Sequence, residues 1–330
     1  MPQISVIVPC YNEENTVRSL LEALAAQNYP REDIEVVIAD GGSTDRTREK
    51  IAAFQRESSA LDIRVIENPM RAIPIGLNRA LAEARGEFII RLDAHSIPQQ
   101  DYVSRCVSAL QEGLGDNVGG VWDIKPARAT WAAESIAAAA AHPVGAGDAR
   151  YRVGGTAGEV DTVPFGAYAR ELAEKLGGYD ESLLTNEDYE FNVRIRKAGG
   201  RIWLDPEIRS IYFARDTFPS LAQQYWRYGY WKARMLLKHP ETIRWRQLAA
   251  ILVLSLSVLA LLSIWFHAAR WLLAIELALY AILLLGSGLQ AAIRDRSPGR
   301  LPGVPLAIAI MHFSWGTAFL WSLVQSPFQK

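Results

Sequence analysis

The chain has 330 residues and a formal net charge of −1 at neutral pH, enough for one large core or two ordinary domains. The balanced charge excludes a nucleic-acid binder that works through overall attraction, so any anion site has to be local. The two cysteines, Cys10 and Cys106, form neither a disulfide framework nor a zinc-ligand spacing. No cleavable signal precedes the first apolar run, and we expect a reducing, cytoplasmic environment for most of the chain.

Strands and helices alternate in the N-terminal part of the sequence. Apolar, β-branched runs predict strands at Ile4–Val8, at Ile34–Asp40, at Ile63–Glu67 and from Phe88 onward. Helical spacing of apolar residues predicts helices after Glu13, up to about Phe54 and at Ile73–Ala84. This alternation implies right-handed βαβ units, a mostly parallel sheet and the α/β fold class.

The strand that begins at Phe88 runs into a carboxylate and an imidazole. Residues two apart on an extended backbone point to the same side, so Asp93 and His95 can converge beyond the carboxyl end of the strand. Open α/β sheets bind ligands at that edge. An oxygen and a nitrogen at one point suit a divalent cation such as Mn²⁺ or Mg²⁺. The alternative is a strand end with a solvated Asp93 and a capping His95.

Asp40 closes an earlier strand in front of Gly41 and Gly42, where backbone can approach a ligand closely. A carboxylate at this point could hold a ribose hydroxyl or a base. The glycines match neither the dinucleotide fingerprint nor the P-loop, so an oxidoreductase or P-loop enzyme is unsupported. The alternative is a simple turn.

The segment between Asp116 and Glu159 is rich in Ala and Gly and poor in strand signals. A small-residue helix is predicted at Ala132–Ala141, followed by a flexible loop at Gly145–Gly158. Such a helix and loop either order around a substrate or form a plain surface insertion. Both interpretations stay open.

The C-terminal part predicts a membrane domain. Three apolar stretches, 248–266, 271–289 and 304–324, each have about the twenty residues needed to cross the hydrocarbon layer. Arginines flank this region unevenly: Arg244 and Arg246 precede it, Arg294, Arg296 and Arg300 lie between the second and third stretches, and Arg270 stands alone between the first two. The positive-inside rule then places the N-terminal domain in the cytoplasm, on a multi-pass protein of the inner membrane. Just before this region, 221–237 interleaves aromatic and basic residues, as is typical of a membrane interface.

Three ordered motifs, VPCYNE at 8–13, ADGGSTD at 39–45 and LDAH at 92–95, together resemble the inverting family-two glycosyltransferases. More narrowly, DAHS at 93–96, VDTVPFG at 160–166 and RIRKAGG at 194–200 resemble the bacterial succinoglycan glucosyltransferases of the ExoA type. The resemblance implies a nucleotide-sugar-binding GT-A (Rossmann-like) fold at 1–217, followed by an interfacial amphipathic segment at 218–247 and membrane helices at 248–330.

The resemblance also implies roles for individual residues. Those that would hold the nucleotide sugar are Pro9, Tyr11, Glu13, Asp40 and Asp93. Asp93 and His95 take the Asp-x-Asp position, which binds a metal that bridges the donor diphosphate. His95 departs from the commoner second Asp, and an imidazole in place of a carboxylate favours Mn²⁺ over Mg²⁺.

By the same resemblance, Asp188 is the general base and Glu187 its reserve, although acidic residues in a first helical turn also complement the helix dipole. Gln224, Arg227 and Tyr228 match the family's Gln-x-x-Arg-Trp motif, with Tyr in place of Trp. Arg227 would neutralise the leaving diphosphate, and an aromatic ring would stack on the acceptor sugar. The alternative for this segment is an interfacial anchor.

We therefore expect a membrane-anchored, metal-dependent, inverting glycosyltransferase. It would transfer a hexose, glucose first, from a UDP-sugar to a lipid-linked saccharide among the membrane lipids. A processive polysaccharide synthase and a polyprenyl-phosphate hexosyltransferase share these motifs. A non-catalytic membrane scaffold that keeps the fold is the alternative from a different class of protein.

Overall fold

A computed structural model describes residues 2–58, 61–244 and 247–326. The chain forms two compact units, and each is discontinuous in sequence. The first unit comprises residues up to Asp123 together with Gly154–Tyr212, and the second comprises Ile124–Val153 together with residues from Phe213 onward. The sequence predicted boundaries after residues 217 and 247, between segments that are each continuous in sequence. The division differs because 124–153 packs with the C-terminal helices. Arg246 of the predicted interfacial segment and positions 327–330 of the predicted membrane domain lie outside the described residues.

The strands are β1 (Ile4–Cys10), β2 (Ile34–Asp40), β3 (Asp62–Glu67), β4 (Phe88–Arg91), β5 (Ser96–Pro98), β6 (Asn117–Pro126), β7 (Gly158–Glu159), β8 (Ala167–Ala169) and β9 (Ile202–Ala214). The helices are α1 (Val17–Ala25), α2 (Thr47–Glu57), α3 (Ile73–Glu83), α4 (Tyr102–Gln111), α5 (Trp131–Ala140), α6 (Pro143–Ala146), α7 (Arg150–Val153), α8 (Arg170–Leu176), α9 (Glu187–Lys197), α10 (Phe218–Lys238), α11 (Leu248–Leu262), α12 (His267–Arg294) and α13 (Arg300–Gln325). Short 3₁₀ turns occur at Arg31–Asp33 and Pro240–Thr242.

Within the described residues, nine strands form one mixed sheet in the order β3-β2-β1-β4-β8-β6-β9-β5, with β7 beside β9. β1 to β4 are mutually parallel, as predicted from the alternation with helices. β8 is antiparallel to β4, β6 is antiparallel to β8, and β5 and β7 are antiparallel to β9. Every residue of β2 is buried, which explains its continuous apolar run. The predicted α/β class is confirmed.

The parallel strands bring distant polar residues to one edge of the sheet. Cys10 pairs with Asp40 in the β1–β2 register, and Ile7 pairs with Arg91 in the β1–β4 register. β4 ends at Arg91, so Asp93 and His95 lie in the turn that follows rather than on the strand. The predicted strand therefore ends earlier than expected, at Arg91, and does not reach His95. This turn is closed instead by the amide of Ser96, which donates to the Asp93 carbonyl over 3.0 Å.

The second unit is helical. α13 packs against α5, α10, α11 and α12. Its buried core contains Ile136, Ala137, Ala138, Ala139, Ala214, Leu221, Tyr225, Ala291, Val304, Ala307, Ile308 and Met311. The predicted small-residue helix is present as α5, but α6 and α7 occupy part of the predicted loop. Pro143 suits the first turn of α6, and the His142 ring accepts from the amide of Val144 to cap it.

Two helices of the second unit are long and apolar enough to cross a membrane. α12 has 28 residues and α13 has 26. The first predicted span corresponds to α11, which has 15 residues and is apolar but short. At a rise of about 1.5 Å per residue it measures roughly 22 Å, less than the roughly 30 Å of a hydrocarbon core.

Candidate active site

Asp93 and His95 face each other after β4. Nε2 of His95 lies 3.7 Å from Oδ2 of Asp93. The turn holds them there because both the amide and the hydroxyl of Ser96 donate to the Asp93 carbonyl. β5 then continues antiparallel to β9, which fixes the direction of the chain after the turn. The convergence expected from the sequence is present, produced by a turn instead of a strand.

Glu13 supports the His95 ring from the opposite side. Nδ1 of His95 lies 2.9 Å from Oε1 of Glu13, and the other Glu13 oxygen accepts from the Thr16 hydroxyl over 2.5 Å. Since an ionised carboxylate only accepts, Nδ1 carries the proton of this bond. A neutral ring then presents Nε2 as an acceptor toward Asp93. This is the arrangement by which proteins orient histidine ligands of metals.

The donor set fits a divalent cation with an open coordination sphere. Across the described residues, no group of three or more His, Cys, Asp or Glu side chains is arranged to hold a metal. Asp93 and His95 would thus supply two ligands, leaving the other positions to phosphate oxygens and water. With metal–ligand distances of about 2.1 Å, two ligands lie roughly 3–4 Å apart, and the two observed atoms are 3.7 Å apart. Oxygen with imidazole nitrogen suits Mn²⁺ as well as Mg²⁺.

Arg91 is the centre of a buried ion cluster. Its side chain is only 4% exposed, and its Nη2 lies 2.9 Å from Oδ1 of Asp93 and 3.2 Å from Oε1 of Glu187. Its Nη1 lies 3.2 Å from Oδ2 of Asp188. The Phe165 ring packs against the guanidinium, with 5.2 Å from the guanidinium carbon to the ring centroid. One cation thus faces three carboxylates, all of which the sequence had singled out: Asp93 as metal ligand, Asp188 as base and Glu187 as its reserve.

The residues Glu187 and Asp188 begin α9, after Asn186 in the left-handed conformation with a φ of 70°. Burial raises the pKa of Glu187 to about 8, and the charge of Asp188 adds to the rise. Burial also raises the pKa of Asp188, to about 6, against the opposing charge of Arg91. Burial thus raises the pKa of both carboxyls, and the charge of Arg91 opposes the rise in each. Asp188 is also the more accessible of the two, with 24% of its side chain exposed against 8%.

Asp40 lies at the same edge, under the loop that follows β2. Its carboxylate is fully buried and accepts from Nε of Arg48 over 2.5 Å and from the Ser43 hydroxyl over 2.5 Å. Arg48 also pairs with Glu67, so it is held at both ends of its guanidinium. The Asp40 carboxylate is therefore satisfied by protein donors, and a base or ribose would meet it by replacing one of them.

Tyr11 offers an exposed aromatic surface beside Asp40, with 43% of the residue accessible. The guanidinium of Arg71 lies over one face, 5.2 Å from the ring centroid. A Cβ at Gly41 would lie 3.2 Å from the Tyr11 ring, so the glycine provides room for it. Pro9 precedes this loop within β1, opposite Ala39. An exposed ring beside a cation is suited to stacking on a planar base.

The first unit also contains an aromatic wall that sequence reasoning missed. Trp122 and Tyr212 stack with centroids 4.2 Å apart and an interplanar angle of 5°. This stack lies beside the pair formed by Asp93 and His95, since the ring centroids of Tyr212 and His95 are 6.1 Å apart. Phe165, with a φ of 50°, packs against Trp122 at 5.3 Å. These residues come from β6, β9 and the loop before β8, and no local pattern in the sequence connects them.

The remaining predicted residues lie in the second unit, on α10. Nε2 of Gln224 donates to the Tyr228 hydroxyl over 2.9 Å, across one helical turn. The Tyr225 ring packs edge-on against Tyr228 at 5.6 Å between centroids. Arg227 is exposed. The structure thus brings Gln224 and Tyr228 together on one face of α10, whereas the other candidate residues belong to the first unit.

Known proteins resemble this chain in sequence over much of its length. The model of Glycosyl transferase family 2 matches residues 5–177. The succinoglycan biosynthesis protein ExoA of Rhizobium meliloti is 33% identical over 319 residues, covering 95% of this chain and 93% of that protein. The dolichyl N-acetyl-α-D-glucosaminyl phosphate 3-β-D-2,3-diacetamido-2,3-dideoxy-β-D-glucuronosyltransferase of Methanococcus voltae is 26% identical over 329 residues, covering 98% of this chain and 97% of that protein.

Solved structures share the fold at lower identity. The mannosyltransferase PcManGT from Pyrobaculum calidifontis, in complex with GDP-Man and Mn²⁺, has a TM-score of 0.63 at 22% identity, covering 97% of this chain and 87% of that chain. Residues 1–349 of S. aureus TarS in complex with UDP have a TM-score of 0.52 at 20% identity, covering 99% of this chain and 92% of that chain. The predicted GT-A type of nucleotide-sugar fold is confirmed by this likeness.

Proposed function

Because the chain belongs to glycosyl transferase family 2, we propose that it transfers a hexose, glucose first, from a UDP-sugar to a hydroxyl of a lipid-linked saccharide. That it is a glycosyltransferase of polysaccharide or glycolipid biosynthesis follows from its relatives. The observation that supports this more specific proposal is the Arg91 cluster. In it Asp93, the proposed metal ligand, and Asp188, the proposed base, share one guanidinium.

On the donor side, Asp93 and His95 would hold Mn²⁺ or Mg²⁺. When bound, the ion would neutralise charge on the departing diphosphate. Glu13 keeps the His95 ring oriented for this, and Tyr11 offers a stacking surface for the base. UDP is supported as the nucleotide by the S. aureus TarS complexes with UDP and UDP-GlcNAc, although PcManGT was solved with GDP-Man.

On the acceptor side, Asp188 is the proposed general base. Burial raises its pKa, which makes it a stronger base than an ordinary Asp, while the charge of Arg91 favours its ionised form. A single displacement by the acceptor oxygen on the face opposite UDP inverts the anomeric centre, giving a β-linked product from an α-linked donor.

The membrane part of the proposal concerns the second unit. We infer that α11, α12 and α13 cross the inner membrane, as the three apolar stretches predict, and that the first unit is cytoplasmic. An acceptor carried on a lipid would then be delivered at the membrane surface, where α10 carries Gln224, Arg227 and Tyr228. These three residues are the proposed contacts for the diphosphate and the acceptor sugar. The dolichyl-phosphate-linked substrate in the name of the M. voltae relative supports an acceptor of this kind.

UDP release by the detergent-solubilised protein tests the proposal. The assay uses a panel of UDP-sugars with Mn²⁺, Mg²⁺ or EDTA, with and without a lipid extract. We expect metal-dependent release from one sugar, stimulated by the extract. Stimulation by polyprenyl phosphate alone would favour a polyprenyl-phosphate hexosyltransferase, and long products would favour a processive synthase. No release from any donor, with no UDP binding, would leave a membrane scaffold.

A further inference from the structure

We propose that Arg91 is a positioning residue that ties the donor-side carboxylate of Asp93 to the base Asp188, so that one guanidinium aligns both halves of the reaction. The inference rests on the function proposed above. Arg91 itself touches neither substrate in this scheme. It acts through the two carboxylates that do.

The backbone of Arg91 is fixed on both sides. It is the last residue of β4, it pairs with Ile7 of β1, and its amide donates to the Gly166 carbonyl over 3.0 Å. Its side chain is 4% exposed and lies against the Phe165 ring. A guanidinium held from the strand and from the ring has little freedom to follow a partner. Its partners have to align to it.

The two amino groups of the guanidinium serve different carboxylates. Nη2 contacts Oδ1 of Asp93 at 2.9 Å, and Nη1 contacts Oδ2 of Asp188 at 3.2 Å. Because the guanidinium is planar and rigid, it sets the separation and the relative orientation of the two groups. A lysine ammonium is a single point charge and cannot fix two directions at once.

Each carboxylate has one oxygen in contact with Arg91, and each also faces a position where chemistry would occur. Oδ2 of Asp93 faces Nε2 of His95, on the side where the metal would bind. Asp188 contacts Arg91 through Oδ2, and about a quarter of its side chain remains accessible to an acceptor. The rigid guanidinium of Arg91 therefore directly links the proposed metal ligand Asp93 to the proposed base Asp188.

The alternative is that Arg91 only balances buried charge. Three carboxylates around one cation need that cation for folding, since a buried charge without a partner is strongly destabilising. A charge-balancing role predicts that any cation at this position serves equally well. A positioning role predicts that geometry matters even when the charge is kept. Arg91→Lys separates the two because it keeps the charge and removes the planar fork.

The experiment measures kcat, the acceptor KM and UDP affinity with Mn²⁺ for full-length Arg91→Lys and Arg91→Lys/Asp188→Asn. We expect kcat to fall about 100-fold in the single variant, the loss that small misplacements of catalytic groups cause. If Arg91 acts through Asp188, the same substitution in the Asp188→Asn background should lower kcat less than about threefold further. UDP affinity with Mn²⁺ should weaken in both backgrounds, because the Asp93 link is lost in both.

Two further variants keep the test decisive. Arg85→Lys is the matched control, since Arg85 pairs with Glu35 and Asp62, a different carboxylate cluster of the same unit, and its kcat should not change. Phe165→Leu loosens the guanidinium without changing any charge. It should lower kcat less than Arg91→Lys does, and it should cause no further loss of kcat when it is combined with Asp188→Asn. Phe165→Leu takes the place of Arg91→Lys in the test if thermal unfolding shows that the Arg91→Lys protein does not fold.

Wild-type kcat and UDP affinity in Arg91→Lys would overturn the inference while the proposed function stands. Equal losses of kcat with and without Asp188→Asn would overturn it as well, since Arg91 would then act independently of the base. A wild-type protein that neither binds UDP with Mn²⁺ nor releases it from any UDP-sugar would overturn the proposed function, and the inference with it.

Discussion

Glu13 lies one hydrogen bond behind His95 and determines which ring nitrogen faces Asp93. The resemblance to the family implies a contact with uridine for this residue, whereas its carboxylate faces the His95 ring and the Thr16 hydroxyl. Removing the negative charge should loosen the orientation of the ring. A residue so placed matters for metal affinity even if it never contacts the ion.

We expect Glu13→Gln to weaken Mn²⁺ binding in the presence of UDP by about 10–100-fold, the usual effect of losing a partner behind a histidine ligand. Mn²⁺ titration followed by electron paramagnetic resonance measures this without turnover. Glu14→Gln is the control, because the Glu14 carboxylate accepts from the amide of Arg46 and has no bond to His95. Unchanged Mn²⁺ affinity in Glu13→Gln would show that the ring is held by other contacts.

At the residue scale, the sequence identified candidate site residues where their spacing along the chain forms a motif. Asp93 and His95 stand two apart, and their neighbours provide the motif. Arg91 was missed, although a charge inside an apolar strand is itself a signal that a buried partner exists. Its partner Glu187 lies 96 residues further along the chain, and only the β4–β8 pairing and the start of α9 bring the two together.

At the scale of elements, the helices of the second unit approach closely through glycines. A Cβ on Gly316 of α13 would lie 2.5 Å from the Ala249 carbonyl oxygen and 2.7 Å from Cγ2 of Val253 on α11. Small residues of this kind let helix backbones pack tightly where lipid gives no hydrophobic drive for association. By contrast, Gly286 of α12 has open space around it.

Gly316→Leu should therefore separate α11 from α13 and lower stability by about 1–3 kcal/mol, the usual effect of overpacking. Thermal unfolding in detergent measures the change. Gly286→Leu makes the same substitution on a helix face with room for the side chain and should leave the melting temperature nearly unchanged. Equal effects of the two substitutions would show that close packing at Gly316 contributes nothing.

The sequence predicted strands and helices well where they follow from a local periodicity of apolar residues. It predicted less where contacts between distant parts of the chain determine how an element ends or packs. The first four strands and their helices follow from apolar runs and spacing, and they agree with the structure within a few residues. β4 stops earlier than its apolar pattern suggests, since the turn at Asp93–Ser96 is set by hydrogen bonds. The segment at 124–153 gave no local sign that its helix packs on α13.

At the scale of the whole molecule, the arginine distribution predicts which side of the membrane each loop occupies. The short connection between α11 and α12 would face outward, and the one between α12 and α13 inward. Cys10 and Cys106 are buried, so a new cysteine can be labelled over a low background. Ala268 is exposed at the start of α12, next to the first connection, and Ser297 lies in the second connection.

In intact spheroplasts, a membrane-impermeant maleimide should label Ala268→Cys directly and Ser297→Cys only after lysis. The comparison tests whether α12 crosses the bilayer, because both sites lie at the ends of that one helix. Labelling of both sites from outside would place them on one side and rule out a span by α12. The opposite order would invert the expected topology.

The chain passes between its two units three times, after Asp123, after Val153 and after Tyr212. During synthesis α5 leaves the ribosome long before its partner, since Nε1 of Trp131 donates to the Gly299 carbonyl 168 residues later. The first unit therefore has to complete its sheet while α5, in the segment between its two parts, still lacks α13 as a packing partner. A chain cut after residue 217 would keep that helix exposed for good, so the first unit cannot be isolated by a single truncation.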